Sequence, residues 1–264
     1  MAPDAPVVHA LIYAAMLAYL LAGVAFISGR RRWGGAFHAS GFVVALVAFV
    51  VLWGRSEHLP LQGLFGVFLC LGALMYPLSA FCRRFLGVEG RAGDALIGFA
   101  LFFPAAFVFK PGPGDLMPAL QSPLMGVHVG AYLLAYAVLF KAGIQACKAL
   151  ATRGDDGRGR AASRELDAFK LVRLGFPLLT LGLVLGAVWG SVAWGDYWQW
   201  DPKELWSLAM WLVYAGYFQV RSMSGARRPR LSAAIAVVGA VVVVATILWV
   251  NLARIFAGLH SYAA

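Results

Sequence analysis

A chain of 264 residues that is 61% hydrophobic and only 13% charged, with a mean hydropathy of +0.77, holds no block polar enough to fold as a separate soluble domain. Its net charge of +10 would suit nucleic acid, but the basic residues sit in the connections between apolar runs, where membrane topology and anionic lipid account for them, so the composition excludes nucleic acid and makes the lipid bilayer the implied partner. Lipid obliges every backbone polar group to be satisfied inside a helix or a closed barrel, and strand alternation is absent; the expected fold is all-α, a polytopic transmembrane helical bundle forming a single membrane domain over 1–264.

Apolar runs near the bilayer-spanning length predict about eight spans, at Val7 to Ser28, Ala36 to Trp53, Gly63 to Phe81, Ala95 to Phe109, Gly126 to Leu150, Leu174 to Ala193, Leu205 to Val220 and Leu231 to Val250. The first has no basic n-region and is followed by Arg30, Arg31 and Arg32, so it reads as an anchor and not as a signal peptide. The fourth is the shortest and carries Pro104. Alternate connections hold most of the Lys and Arg, including Arg30 to Arg32, Arg83, Arg84, Arg91, the run from Lys148 to Arg173 and Arg221 to Arg230, whereas the other set holds Arg55, Lys110, Lys203 and Arg254. The basic set is expected in the cytoplasm, with both termini on the outer side. The stretch Thr152 to Lys170, rich in Gly, Asp and Arg, reads as a flexible connector ending in a short amphipathic approach. It separates N-terminal spans over about 7–150 from a C-terminal half over about 165–264. No internal repeat of fixed period is visible.

Cys70, Cys82 and Cys147 are widely spaced and form no C-x-x-C and no C-x-x-C-H, so the chain is neither a thiol oxidoreductase nor a c-type cytochrome. Gly182, Gly186 and Gly190 fall on one helix face, where they would admit a neighbouring helix or a flat ligand, the helix being the expected occupant.

Between two apolar runs lies Trp194 to Glu204, WGDYWQWDPKE. Tryptophan and tyrosine favour the membrane interface, which would make this an anchoring connector. Four such rings with fixed acidic neighbours exceed what anchoring needs, so an aromatic platform for a large planar ligand is the favoured reading. Asp201, Pro202 and Glu204 match an N-cap, N1 and N3, so capping is the leading role expected of Asp201 and Glu204, with orientation of an imidazole, open also to Asp196, as the alternative. His128, opening the fifth span, and His260, beyond the last, share the expected outer face with this loop; either alone reads as a hydrogen-bonded interface residue, and together with the aromatic loop they are the candidate pair of axial ligands for haem iron. Trp194, Trp198 and Trp200 would cover the porphyrin, and Arg55, Lys203 and Arg254 are the outer cations for its propionates.

The order WG, two residues, W, one residue, WDPKE resembles the WWD signature of membrane haem-handling proteins, and its PKE ending is similar to the CcsA (ResC) family of cytochrome c synthesis. His128 in PALQSPLMGVHV and His260 in GLHSYA match the two external histidines that flank that segment in the family. The likeness runs from Leu116 onward through ELDAFKLVRLGFPLLTLG and WSLAMWLVYAGYF, and more weakly through RSEHLPLQGLFG. There His58 resembles part of a segment of the type GHFPLSNLYES, with Glu57, Gln62 and Gly63 departing from it; a structural or partner-contact role is expected. His9 and His38 have no matching context and read as polar interface residues. Gln219 stands where the family has a histidine at the inner helix end, which puts an inner haem entry site in doubt, and the spacing from Asn251 to His260 is slightly longer than the family's.

The resemblance implies a haem-binding subunit of a cytochrome c synthase that works with a CcsB (ResB) partner. It would present haem b, iron protoporphyrin IX, on the outer face of a bacterial plasma or thylakoid-type membrane to the C-x-x-C-H thiols of apocytochrome c. A haem transporter or chaperone of the CcmC type and a non-catalytic assembly subunit are the alternatives.

Overall fold

The computed structural model describes residues 5–56, 58–61, 63–111, 118–152, 155–224 and 228–252. Arg254 and His260 lie outside the described residues, as does the connection at 112–117. The described residues form eight α-helices and no strand: α1 Ala5–Ile27, α2 Arg31–Ser56, α3 Leu64–Phe81, α4 Arg91–Phe107, α5 Pro123–Ala151, α6 Asp155–Trp194, α7 Pro202–Ser224 and α8 Pro229–Leu252. Each of the eight predicted runs becomes one helix. Six of the helices are long and apolar enough to cross a membrane; α4, at 17 residues, and α7, which carries Lys203, Glu204, Gln219 and Arg221, are not among the six.

The ends follow local chemistry. Gly29 at φ 77 closes α1, with the Arg30 amide donating back to the Ala25 carbonyl at 2.8 Å. A π-helical turn, Cys82–Leu86, follows α3 and closes in the same way on Gly87 at φ 65. Both are positions that an L side chain rarely adopts and that glycine takes at no steric cost.

One expectation is overturned. The stretch predicted as a flexible connector is helical from Asp155 and continuous with the sixth span, so α6 runs for 40 residues. Glu165, Ala168, Leu171, Val172, Gly175, Leu179, Gly182 and Trp189 are all buried, nearly all of them three, four or seven residues after the one before, so one helical face continues through both the polar and the apolar part. The Glu165 carboxylate is paired with Arg221 of α7 and accepts from the Tyr217 hydroxyl. This partner, distant in sequence, fixes a segment whose local composition reads as loop.

The chain divides into two compact units, residues 1–126 and 127–264. The division falls before the connector and places nearly all of α5 with the tryptophan-rich loop. The first unit packs around Tyr19 of α1, which is fully buried, meets Phe102 of α4 edge-on at 5.2 Å and meets His38 of α2 edge-on at 4.6 Å. Gly98 of α4 makes room for it: a Cβ there would lie 2.3 Å from the Tyr19 ring. In the second unit, α5 meets α6 where Leu139 and Val138 lie over Gly175, and meets α8 where Gly143 faces Ala240. Small residues let helix backbones approach where no hydrophobic force separates helix from lipid.

Candidate functional site

His128 sits in the second turn of α5, on the same face as Tyr132 one turn on. Opposite it is the glycine stripe of α6. A Cβ built on Gly186 would lie 2.5 Å from His128 Cε1 and 2.9 Å from its Nδ1, and one on Gly182 would lie about 3 Å from the Tyr132 ring. At Gly182 and Gly186 the stripe is therefore filled by α5, as helix packing predicts, and the residue it admits most closely is the imidazole, whereas Gly190 faces the Asp196 carbonyl and the Trp194 ring.

The position of the ring also fixes its protonation. His128 Nδ1 lies 2.8 Å from the Gly182 carbonyl oxygen, an acceptor only, so Nδ1 carries the hydrogen and donates it. The lone pair of the neutral ring then belongs to Nε2. A histidine that binds a metal commonly gives its other N–H to a carbonyl in this way, which sets tautomer and orientation together. The imidazole lies nearly parallel to Trp189, with ring centroids 6.0 Å apart and planes at 14°, and edge-on to Tyr132 at 5.0 Å. The Tyr132 hydroxyl is hydrogen-bonded to Ser207 of α7, so three helices fix the ring's surroundings.

Trp189 and Tyr132 are site residues that the sequence reading missed. Both carry a signal in hindsight of spacing: Trp189 is seven residues after Gly182 and three after Gly186, and Tyr132 is four after His128, which puts each on the facing stripe. Trp189 is 1% exposed and meets Trp194 at 4.7 Å with planes at 71°, so a chain of rings joins His128 to the first residue of the tryptophan-rich segment.

Trp194 ends α6 because Gly195, at φ 87, takes the left-handed conformation and returns its amide to the Ser191 carbonyl at 3.1 Å. Beyond it the loop divides in two. Trp194 turns toward Trp189, while Trp198 and Trp200 pair edge to face at 6.0 Å and Trp200 and Tyr197 are each 67% exposed. Trp200 itself stands at φ 58, a backbone state that costs a non-glycine residue about 1–3 kcal/mol.

Asp201 and Glu204 cap α7. The Lys203 amide donates to Asp201 Oδ1 at 2.9 Å, and the Asp201 amide donates to Glu204 Oε2 at 3.1 Å, the reciprocal pair of a capping box with Pro202 at the first helical position. Asp196 accepts from the Gln199 side chain at 3.4 Å. Lys203 is desolvated at this helix start, which pushes its pKa down to about 8 although the neighbouring Asp201 carboxylate opposes the shift.

Arg55 lies in the last turn of α2, in the first unit. The remaining histidines are placed elsewhere. His38 is 2% exposed, enclosed by Tyr19, Tyr76 and Phe26, so the interface position expected for it is replaced by a core position. His9 packs against Phe65 and Tyr13, and His58 Nδ1 lies 3.2 Å from the Leu59 carbonyl. Gln219 is exposed on α7 two residues before Arg221. No cluster of three or more His, Cys, Asp or Glu able to hold a bare metal ion occurs among the described residues.

Fold and site together define a multi-pass, all-helical membrane protein with an oriented imidazole and a tryptophan-rich loop at one end of its second unit. The family described as Cytochrome C assembly protein matches residues 33–257, and the chain belongs to that family. It is 35% identical over 235 residues to the Cytochrome c biogenesis protein CcsA of Chlamydomonas reinhardtii, covering 83% of this chain and 65% of that one. The protein of the same name from Synechococcus sp. (strain CC9605) is 33% identical over 251 residues, 81% of each chain. Among solved structures, a chain of Cytochrome c Heme Lyase CcmF is similar with a TM-score of 0.67 and 22% identity, a likeness of fold that covers 92% of this chain. This chain thus spans just under two thirds of the algal protein and 46% of the CcmF chain.

Proposed function

We propose that the chain is the haem-binding membrane subunit of a cytochrome c synthase, which presents haem b on the outer face of a bacterial plasma or thylakoid-type membrane and works with a CcsB (ResB)-like protein. The observation that carries this reading is the His128 ring: its Nδ1–H is committed to the Gly182 carbonyl and its plane is set by Trp189, so Nε2 is the nitrogen prepared to bind iron. The family to which the chain belongs and the names of its relatives support the same reading.

Bound haem supplies two vinyl groups, across each of which one thiol of an apocytochrome c C-x-x-C-H segment adds, the sulfur bonding to one carbon and the proton ending on the other. The chain's own residues hold, orient and screen. His128 and His260 would hold the haem iron through their imidazoles. Trp194, Trp198 and Trp200 form the aromatic cover that keeps water from the site. Lys203 and Arg254 would be the cations offered to the propionates. Asp201 serves by capping α7, which fixes Lys203 on the first turn of the helix.

Chain purified with its CcsB-like partner should give a pyridine haemochrome spectrum of b-type haem, and addition of apocytochrome should yield covalent holocytochrome. Chain that takes up no haem even with the partner present would overturn the proposal, and haem passed to a separate carrier without covalent product would assign a chaperone.

A further inference from the structure

Among the described residues, Trp200 is the one non-glycine residue at positive φ, and the bonds on either side of it show what holds it there. The amides of Gln199 and Asp201 both donate to a single oxygen, Glu204 Oε2, at 2.8 and 3.1 Å. Capping of α7 requires only the second of these bonds, in which the residue at the third helical position reaches back to the N-cap amide. The first lies outside the helix and closes the loop across Trp200. With the amides before and after it converging on one carboxylate oxygen, the backbone forms a small anion-holding concavity, and Trp200 cannot return to a right-handed conformation without pulling one amide away.

Burial of the indole does not account for the strain, since the ring is 67% exposed. Strained residues persist where the surroundings over-determine them, and here the determining group is a side chain mounted on the first turn of a helix. We infer that Glu204 is a positioning residue whose carboxylate holds Trp200 left-handed, so that the indole stands out of the loop as the presented part of the aromatic platform. The inference deepens the haem reading above and rests on it for what the indole meets. It also gives the W-D-P-K-E order a physical sense: the carboxylate that caps α7 is the one that sets the tryptophan four residues earlier.

The test has two arms. In the first, which needs no haem, hydrogen exchange is followed by mass spectrometry across residues 196–206 of the detergent-purified chain. Glu204→Ala should speed exchange in this segment by about tenfold or more, Glu204→Gln, which keeps an accepting oxygen, should stay near wild type, and exchange in α5 and α8 should be unchanged. In the second, haem affinity is measured for Glu204→Ala, Trp200→Ala and the double variant. Each single change should weaken binding by about tenfold, as loss of a supporting residue does, and the double no more than either. Equal exchange in wild type and Glu204→Ala overturns the clamp. Full additivity in the double variant overturns the claim that Glu204 acts through Trp200. Wild-type chain that binds no haem overturns the haem reading alone, and the exchange arm still decides the clamp.

Discussion

His38 and His128 are the same residue type in two environments, and the two units use them differently. In the first unit His38 is enclosed, meeting Tyr19, Tyr76 and Phe26 by edge contacts at 4.6 to 6.3 Å, and serves as one more ring in an aromatic core. In the second, His128 is half-buried at the end of α5, pressed into a glycine stripe, with one nitrogen committed to a backbone carbonyl and its plane set by a tryptophan. Burial alone makes an imidazole a packing element. Direction is what a ligand needs, and here it comes from the Gly182 carbonyl and the absence of a side chain at Gly186. The buried carboxylates show a similar contrast: Asp94 accepts from the Ser79 hydroxyl at 2.5 Å, whereas Glu165 is held by the Arg221 guanidinium and the Tyr217 hydroxyl.

The largest expected effect concerns those carboxylates. Arg221→Ala leaves a charge buried against its lost partner and should cost about 3–5 kcal/mol, seen as a large fall in thermal stability in detergent and as faster exchange over residues 155–172. Ser79→Ala removes a hydroxyl only and should cost about 1–3 kcal/mol. Equal losses would erase the distinction between the two units. Next comes the imidazole pair: His128→Ala should lower haem affinity on the order of a hundredfold, about 2.7 kcal/mol, with partial recovery of the spectrum on adding imidazole, while His38→Ala should lower stability and leave haem affinity unchanged. A haem loss in His38→Ala matching that of His128→Ala would break the comparison.

Smaller effects sharpen it. Gly186→Ala places a methyl where the His128 ring now lies and should weaken haem binding by about tenfold, the scale of a disturbed supporting shell. Gly98→Ala, which crowds Tyr19 in the first unit, should lower stability by about 1–3 kcal/mol without altering the haem spectrum. The smallest effect is electrostatic. Folded Lys203 loses its proton through about pH 8, whereas the unfolded chain keeps it up to 10.5. The unfolded state therefore binds more protons in that interval, and stability should rise with pH across it. Attraction for an anionic propionate should fall over the same rise, giving a few-fold loss of haem affinity that Lys203→Arg, which stays charged, removes. A flat pH profile in wild type would take Lys203 out of the propionate site.

Much of the fold was legible because its causes are local. Runs of apolar residues near bilayer length gave eight helices, and Asp201, Pro202 and Glu204 gave the start of α7 from a cap that lies within four residues of chain. The histidine opening α5 and the tryptophan-rich loop could be singled out by residue type and spacing alone. What only the tertiary structure decided depends on partners far apart in sequence. Thr152 to Lys170 reads as loop by composition, yet it is helical from Asp155 because Glu165 finds Arg221, 56 residues away. Trp189 and Tyr132 look like ordinary span residues until α5 and α6 are laid together, and the tautomer of His128 is set by a carbonyl 54 residues distant. Residue types and caps act within a turn or two of helix, so the sequence carries them openly; the direction of a ring nitrogen is fixed by an atom that only packing brings within 3 Å or so.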